Sequence, residues 1–325
     1  MSVRSILKFE PIYKGTVWGG RRLEVLLSRE LPGDGPVGES WELVDLPEDQ
    51  SPLIGAASGA ATLGDLRERE GADLMGGAPL LEGRFPLLFK FIDANRTLSV
   101  QVHPDEEACA RLGKGARPKT EAWYIIEARP GAALFVGLKP GVDREAFGAA
   151  LEKGTVEDLL HRLPVEKGDF VFLPAGTIHA IGEGIVLAEV QQSSATTYRV
   201  FDWNRVGLDG KPRQLHIEEA LEATDFERVG KPDAPSPASG RPGVSCPFFE
   251  MELVEGGGVK LHGAGPLVLM GVSGDGAATV RASGLAEELT LGRTLLVPAS
   301  ISDGVTVEGA SGLSILATRV PAGVR

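Results

Sequence analysis

Glycine and proline make up one residue in five of this chain, 43 Gly and 22 Pro among 325 residues. They recur along its whole length, so regular backbone is interrupted at short intervals. Both residues weaken helices and both favour tight turns, which leaves short strands as the arrangement such a chain can build. We therefore expect a mainly β architecture, a β-barrel or jelly roll with short helices, followed by a second, smaller β-barrel-like domain. The length suits two average domains.

Apolar runs and turn signals place the pieces. Strand patterns occupy 37–46, around Glu39, Trp41 and Leu43, and 85–102, on either side of the polar turn Asp93-Ala94-Asn95-Arg96. Residues 121–126 and 132–138, joined by Pro130-Gly131, read as a hairpin. Lys14-Gly15-Thr16-Val17-Trp18-Gly19-Gly20 reads as a glycine-rich turn carrying a tryptophan. The stretch 56–78 is rich in Ala and Gly, with a helical piece near 63–70. Short helices are also expected over 21–32 and 215–224. The clearest helical stretch is an insert at about 141–163, where Asp143 caps one piece and Thr155 with Asp158 resembles a capping box for a second. Residues 231–245, KPDAPSPASGRPGVS, have little to bury and read as a linker. They would separate a catalytic domain, 1–230, from a small all-β domain, 246–325, where only 285–289 shows weak helical periodicity. An internal echo supports two related units: Gly168-Asp-Phe-Val-Phe-Leu-Pro174-Ala resembles Gly292-Arg-Thr-Leu-Leu-Val-Pro298-Ala. His179 lies five residues beyond the first proline and Asp303 five beyond the second, so a site in the first copy would be lost in the second.

Several function classes are disfavoured. A formal charge of −12 is wrong for general nucleic-acid or membrane-surface binding. No apolar stretch is long enough to span a bilayer, and the N-terminus shows no leader-like apolar core, so a cytoplasmic protein is expected. Cys109 and Cys246 are too few for a disulfide framework or a thiolate metal site. No GxxxxGK[ST] stretch occurs, and Gly19-Gly20 lacks a dinucleotide-binding setting.

The informative polar residues fall in strands. Gln101 and His103 stand at i and i+2, on one face of a strand. Lys119 and Glu121 repeat that spacing, and His179 follows a Pro-Ala-Gly turn at a strand start. Taken singly, the first pair is an ordinary strand and Glu121 a solvated acid. Taken together, two imidazoles, a carboxylate and an amide oxygen suit a divalent ion such as Zn²⁺ if a barrel interior gathers them. His161 and His216 read as surface or capping residues, and His262 receives no site role. Arg199 and Arg205 are, from spacing alone, partners for Asp202.

These motifs in order resemble one family closely. FPLLFK90, LSVQ101VH103P, PK119TE121AWY, PAGTIH179AI and QQSSATTYR199VFDWNR205, with W18GG and GE39SWE before them, are similar to the type I mannose-6-phosphate isomerases in their short bacterial form. The similarity covers about residues 9–210. It implies a cupin-type barrel with one zinc ion per chain, held by Gln101, His103, Glu121 and His179. It implies interconversion of mannose 6-phosphate and fructose 6-phosphate through a cis-enediol(ate). Lys90, Lys119 and Arg199 match basic residues of the active site, and Trp18 and Glu39 match residues lining the pocket that Lys90 and Arg199 share. One departure stands out: the short form often carries an aspartate where this chain has Ala195. The base is then Lys119, a water held by the metal, or another group.

The partner implied is a small phosphosugar, with no nucleic acid and no membrane, and monomer and homodimer are equally open. Two other classes fit the same residues: another cupin-type enzyme, such as an iron dioxygenase or a different sugar-phosphate isomerase or epimerase, and a non-enzymatic sugar-binding protein with a structural metal. The grouping of Lys90, Lys119 and Arg199 argues against the last, because a closed structural site needs no anion pocket.

Overall fold

The computed structural model describes residues 4–55, 59–113, 115–309 and 312–322. Part of the Ala/Gly-rich stretch (56–58) and residues 1–3, within the N-terminus expected to carry no leader, lie outside the described residues. The chain is mainly β and folds into two units, each made of two antiparallel sheets. In the first, a six-stranded sheet runs Ile12–Gly20, Val37–Leu43, Leu87–Ala94, Ile185–Gln192, Glu121–Ala128, Phe170–Leu173. It faces a five-stranded sheet ordered Tyr198–Phe201, Val100–Val102, His179–Ile181, Ala133–Leu138, Leu160–Pro164. In the second unit the sheets have six and four strands, and the larger includes Leu7–Lys8 from the start of the chain, paired with Thr294–Val297.

Alternation explains how the layers stack. In Leu87–Ala94, Leu87, Phe89 and Phe91 point outward to a core shared with Val268, Met270 and Leu316 of the second unit, while Ile92 and Ala94 point into the first sandwich. Glu121–Ala128 and Ile185–Gln192 follow the same rule, with Ala122, Tyr124, Val186, Ala188 and Val190 outward and Trp123, Ile125 and Leu187 inward. These strands are buried on both faces, which is why their sequences are apolar runs rather than clean alternations. Helices Arg144–Lys153 and Ile217–Ala223 cover the outer face of the five-stranded sheet, where Phe147 and Ala220 meet Val100, Val102 and Val200.

Five expectations are corrected. Residues 121–128 and 133–138 form no hairpin; each strand pairs within a different sheet, so Pro130-Gly131 carries the chain from one layer to the other. Lys14 to Gly20 is not a turn but most of a bulged strand, Ile12–Gly20. Its neighbour needs glycine for close packing: a Cβ on Gly38 would lie 2.6 Å from the Trp18 ring. Asp143 does cap Arg144–Lys153, accepting from Ala146 N, but beyond it Thr155 makes no side-chain cap, and only a 3₁₀ turn, Val156–Leu159, precedes strand Leu160–Pro164. The weak helical pattern near 285–289 is strand Leu285–Thr290, and the linker stretch contributes strand Gly243–Ser245.

Candidate metal centre and active site

Gln101 and His179 are directly opposite one another in the five-stranded sheet, and Glu121 faces them from the six-stranded one. The neighbours of the first two, Val100, Val102, Ile178 and Ala180, are drawn into the outer core, so Gln101 and His179 are turned inward by the strand period. His103 follows on the same face as Gln101. The result is a buried cluster: Glu121 Oε2 lies 3.5 Å from His103 Nε2 and Glu121 Oε1 lies 3.3 Å from His179 Nε2. Gln101 Nε2 is 3.3 Å from His179 Nε2.

The cluster has the chemistry of a cation site. His103 Nδ1 donates to the Thr196 carbonyl and His179 Nδ1 to the Thr177 carbonyl, each at 2.9 Å. Carbonyls only accept, so both protons sit on Nδ1 and both Nε2 lone pairs face Glu121. Such backbone-anchored imidazoles are the usual form of histidine metal ligands. Both oxygens of Glu121 are buried without a hydrogen bond. Lys119 Nζ approaches Oε2 to 2.9 Å and His103 Nε2 to 3.1 Å. Burial, followed by Lys119 and His179, pushes the His103 pKa well down; burial also lowers that of His179 against the pull of Glu121. Two imidazole lone pairs and a carboxylate converging in a buried site fit a divalent ion. Rotating the Gln101 amide by half a turn adds its oxygen to the set.

The cluster borders a cavity of about 300 Å³. Trp18, Glu39, Lys90, Gln101, Lys119 and Arg199 all line it. Lys90 Nζ bridges Glu189 Oε1 (3.0 Å) and Glu39 Oε2 (3.4 Å), and Glu39 also accepts from the Trp41 indole at 2.6 Å. Burial opposes the charge on Lys90, but the two carboxylates outweigh it and raise its pKa. Arg199 does not pair with Asp202; Nε donates to Ser99 Oγ and Nη1 to the Gln214 carbonyl, each at 3.1 Å. Arg205 does pair with Asp202 (2.9 Å). Ala195 forms part of the cavity wall where an acid was expected.

Sequence reading missed several lining residues. Glu189 accepts from the Trp123 indole at 2.9 Å; burial works against its ionisation, but Lys90 and Lys119 hold the carboxyl well below the usual range. Its signal was a lone acid inside the apolar run of Ile185–Gln192. His216 does sit at a helix start, yet it also lines the cavity and accepts from Arg199 N (3.3 Å). Arg213 lines it too, from a polar loop that carried no signal.

An antiparallel β-sandwich with a His–Glu–His cluster opening onto a charged cavity fits the class of cupin-type enzymes, the cluster being one that could hold a metal ion. Comparison with known proteins narrows the class. The profile of the phosphomannose isomerase type I catalytic domain matches residues 6–124. A mannose-6-phosphate isomerase of Streptococcus mutans is 37% identical over 273 residues, covering 81% of this chain and 84% of that protein. The crystal structure of the mannose 6-phosphate isomerase from Bacillus subtilis superposes with a TM-score of 0.86 at 27% identity, covering 98% of this chain and 100% of the other. A mannose 6-phosphate isomerase bound with zinc and yttrium shares the fold (TM-score 0.71, 18% identity, 98% of this chain and 100% of that one). The chain belongs to the type I phosphomannose isomerase family and is an aldose–ketose isomerase of that family.

Proposed function

We propose that this enzyme interconverts mannose 6-phosphate and fructose 6-phosphate through a cis-enediolate, with one zinc ion per chain held by Gln101, His103, Glu121 and His179. The observation that carries the reading is the buried Glu121 carboxylate, faced by two imidazole lone pairs and approached by the Lys119 ammonium on one oxygen, beside a cavity that also contains Arg199. Bound there, the ion supplies electrophilic stabilisation for negative charge on the sugar oxygens.

The protein groups do the rest. Isomerisation moves a proton between C1 and C2, and Lys119 Nζ, beside the cluster and on the cavity wall, is the group we assign to that transfer. Lys90 presents a fixed positive charge to the sugar oxygens, held by Glu39 and Glu189. Arg199, with no carboxylate partner among the described residues, takes the phosphate through its guanidinium fork. Trp18 forms an apolar wall and Glu39 can accept from a sugar hydroxyl. Residues 1–230 are the catalytic unit in this reading, with 231–245 leading into the small unit 246–325. The cytoplasm is the compartment we propose, since a small phosphosugar dianion stays where it is made; no described helix is long and apolar enough to span a membrane.

The test is a coupled assay of mannose 6-phosphate turnover on chelated protein and on the same protein with zinc restored. Loss on chelation and recovery with zinc support the assignment. Turnover that survives complete removal of metal overturns it.

A further inference from the structure

Two arginines, Arg199 and Arg213, line one end of the cavity, and a third, Arg205, stands behind them and shares the Asp202 carboxylate with Arg213 but not with Arg199. Arg205 is committed to structure: Nε donates to Asp202 Oδ1 (2.9 Å) and Nη1 to the Thr97 carbonyl (2.6 Å). Arg213 differs. Its Nε and Nη2 hold the two oxygens of Asp202 at 2.7 and 2.5 Å, while Nη1 has no protein partner among the described residues, and the side chain lines the cavity with Arg199 and His216. Asp202 offsets one of the three positive charges and leaves two. At the other end Lys90 and Lys119 face three carboxylates, Glu39, Glu121 and Glu189, so the cavity is polarised along its length. The negative end suits a metal ion. The positive end lacks counter-charge, and burial together with the nearby Arg213 lowers the Arg199 pKa. A phosphate monoester dianion brings two negative charges and three acceptor oxygens, which matches that surplus.

We propose that Arg213, oriented by Asp202, grips the substrate phosphate jointly with Arg199 and so selects hexose 6-phosphates over the free sugars. This rests on the isomerase reading above. It gives the loop between Asp202 and His216 a role in specificity, with Asp202 as a positioning residue and Arg205 as a structural brace.

The experiment compares steady-state kinetics of R213M, R213K and D202N with the parent holoenzyme, together with competitive inhibition by inorganic phosphate. In R213M, KM for mannose 6-phosphate and Ki for phosphate should both rise about 10- to 100-fold, with kcat changed far less and metal content intact. R213K should recover part of the loss, because it keeps the charge without the fork. D202N should raise both constants by a smaller factor, since the guanidinium remains but is less firmly aimed. Parent values of KM and Ki in a folded, metal-loaded R213M overturn the proposal; if R213M does not fold, parent values in R213K do so. Should the parent protein not turn over mannose 6-phosphate, the isomerase reading fails on its own. Calorimetric titration with inorganic phosphate then still decides the role of Arg213: weaker binding in R213M supports it and equal binding refutes it.

Discussion

The two β units use the same local path for different ends. In the first, strand Phe170–Leu173 runs into Pro174, a turn, and strand His179–Ile181; in the second, Thr294–Val297 runs into Pro298, a 3₁₀ turn, and Val305–Glu308. His179 is buried in the first interior, whereas Asp303, at the matching offset, is 83% exposed and faces the also exposed His262 at 3.5 Å. The second interior is filled by Leu261, Leu269, Val280, Val305, Val307 and Ile315. Among its described residues from 243 onward, the buried polar side chains are the hydroxyls of Thr294, Ser302 and Thr318. The first interior instead encloses Lys90, His103, Lys119, Glu121, His179 and Glu189. Buried charges oppose folding unless they are paired or bind an ion. The contrast shows that the fold holds without polar groups inside, so their presence in one unit belongs to chemistry rather than to architecture.

The sharpest way to break this contrast is Glu121→Ala. Removing the one carboxylate that faces both imidazoles among the described residues should abolish stoichiometric metal and lower turnover by at least about 1,000-fold. Metal analysis and the coupled assay check it; full metal content in the variant would mean that the ion is held elsewhere. The complementary change is Ile315→Ala, in the aliphatic interior. It should destabilise the protein by about 2–5 kcal/mol in denaturant unfolding while leaving kcat and KM of the folded enzyme as they were. A selective loss of activity would show that the second unit contributes to the chemistry.

Acid should also separate the two units. The buried imidazoles of His103 and His179 have pKa values below the ordinary 6.5, so the unfolded chain takes up their protons first as the pH falls. Their contribution to the stability of the metal-free protein is therefore complete above pH 6.5 and is lost as the pH drops below it. The Tm of metal-free protein should fall between about pH 7.5 and about pH 5.5, and His103→Asn should flatten that slope. A Tm indifferent to pH over this range would mean that the imidazoles are not held neutral by burial.

How much of this was legible follows from periodicity. The cluster could be read because Gln101 with His103, and Lys119 with Glu121, repeat the two-residue period that puts side chains on one face. The mainly β fold was legible in the spacing of glycine and proline. Glu189 was harder, because Ile185–Gln192 is buried on both faces and its apolar run hides which side each residue takes. The supposed hairpin at 121–138 failed for a related reason: a Pro-Gly turn fits either a hairpin or a crossing between layers, and only the partners already paired with each strand decide. Arg213 could not be found at all, since its role depends on Asp202 being shared by two arginines while a third, Arg199, is left without it.

The smallest expected effect tests whether the second unit has any trace of a site. His262 and Asp303 are close enough to attract, but both are largely in water, where such a pair is screened and side-chain freedom opposes it. Asp303→Ala should change stability by no more than about 0.5 kcal/mol, and neither metal content nor turnover should respond. Tight zinc binding by the parent protein beyond one ion per chain, lost in Asp303→Ala, would contradict this and make the exposed pair a second metal site. An unchanged variant would place the whole difference between the units in the buried residues, where the first unit has His179 inside and the second has an exposed turn residue at the same offset.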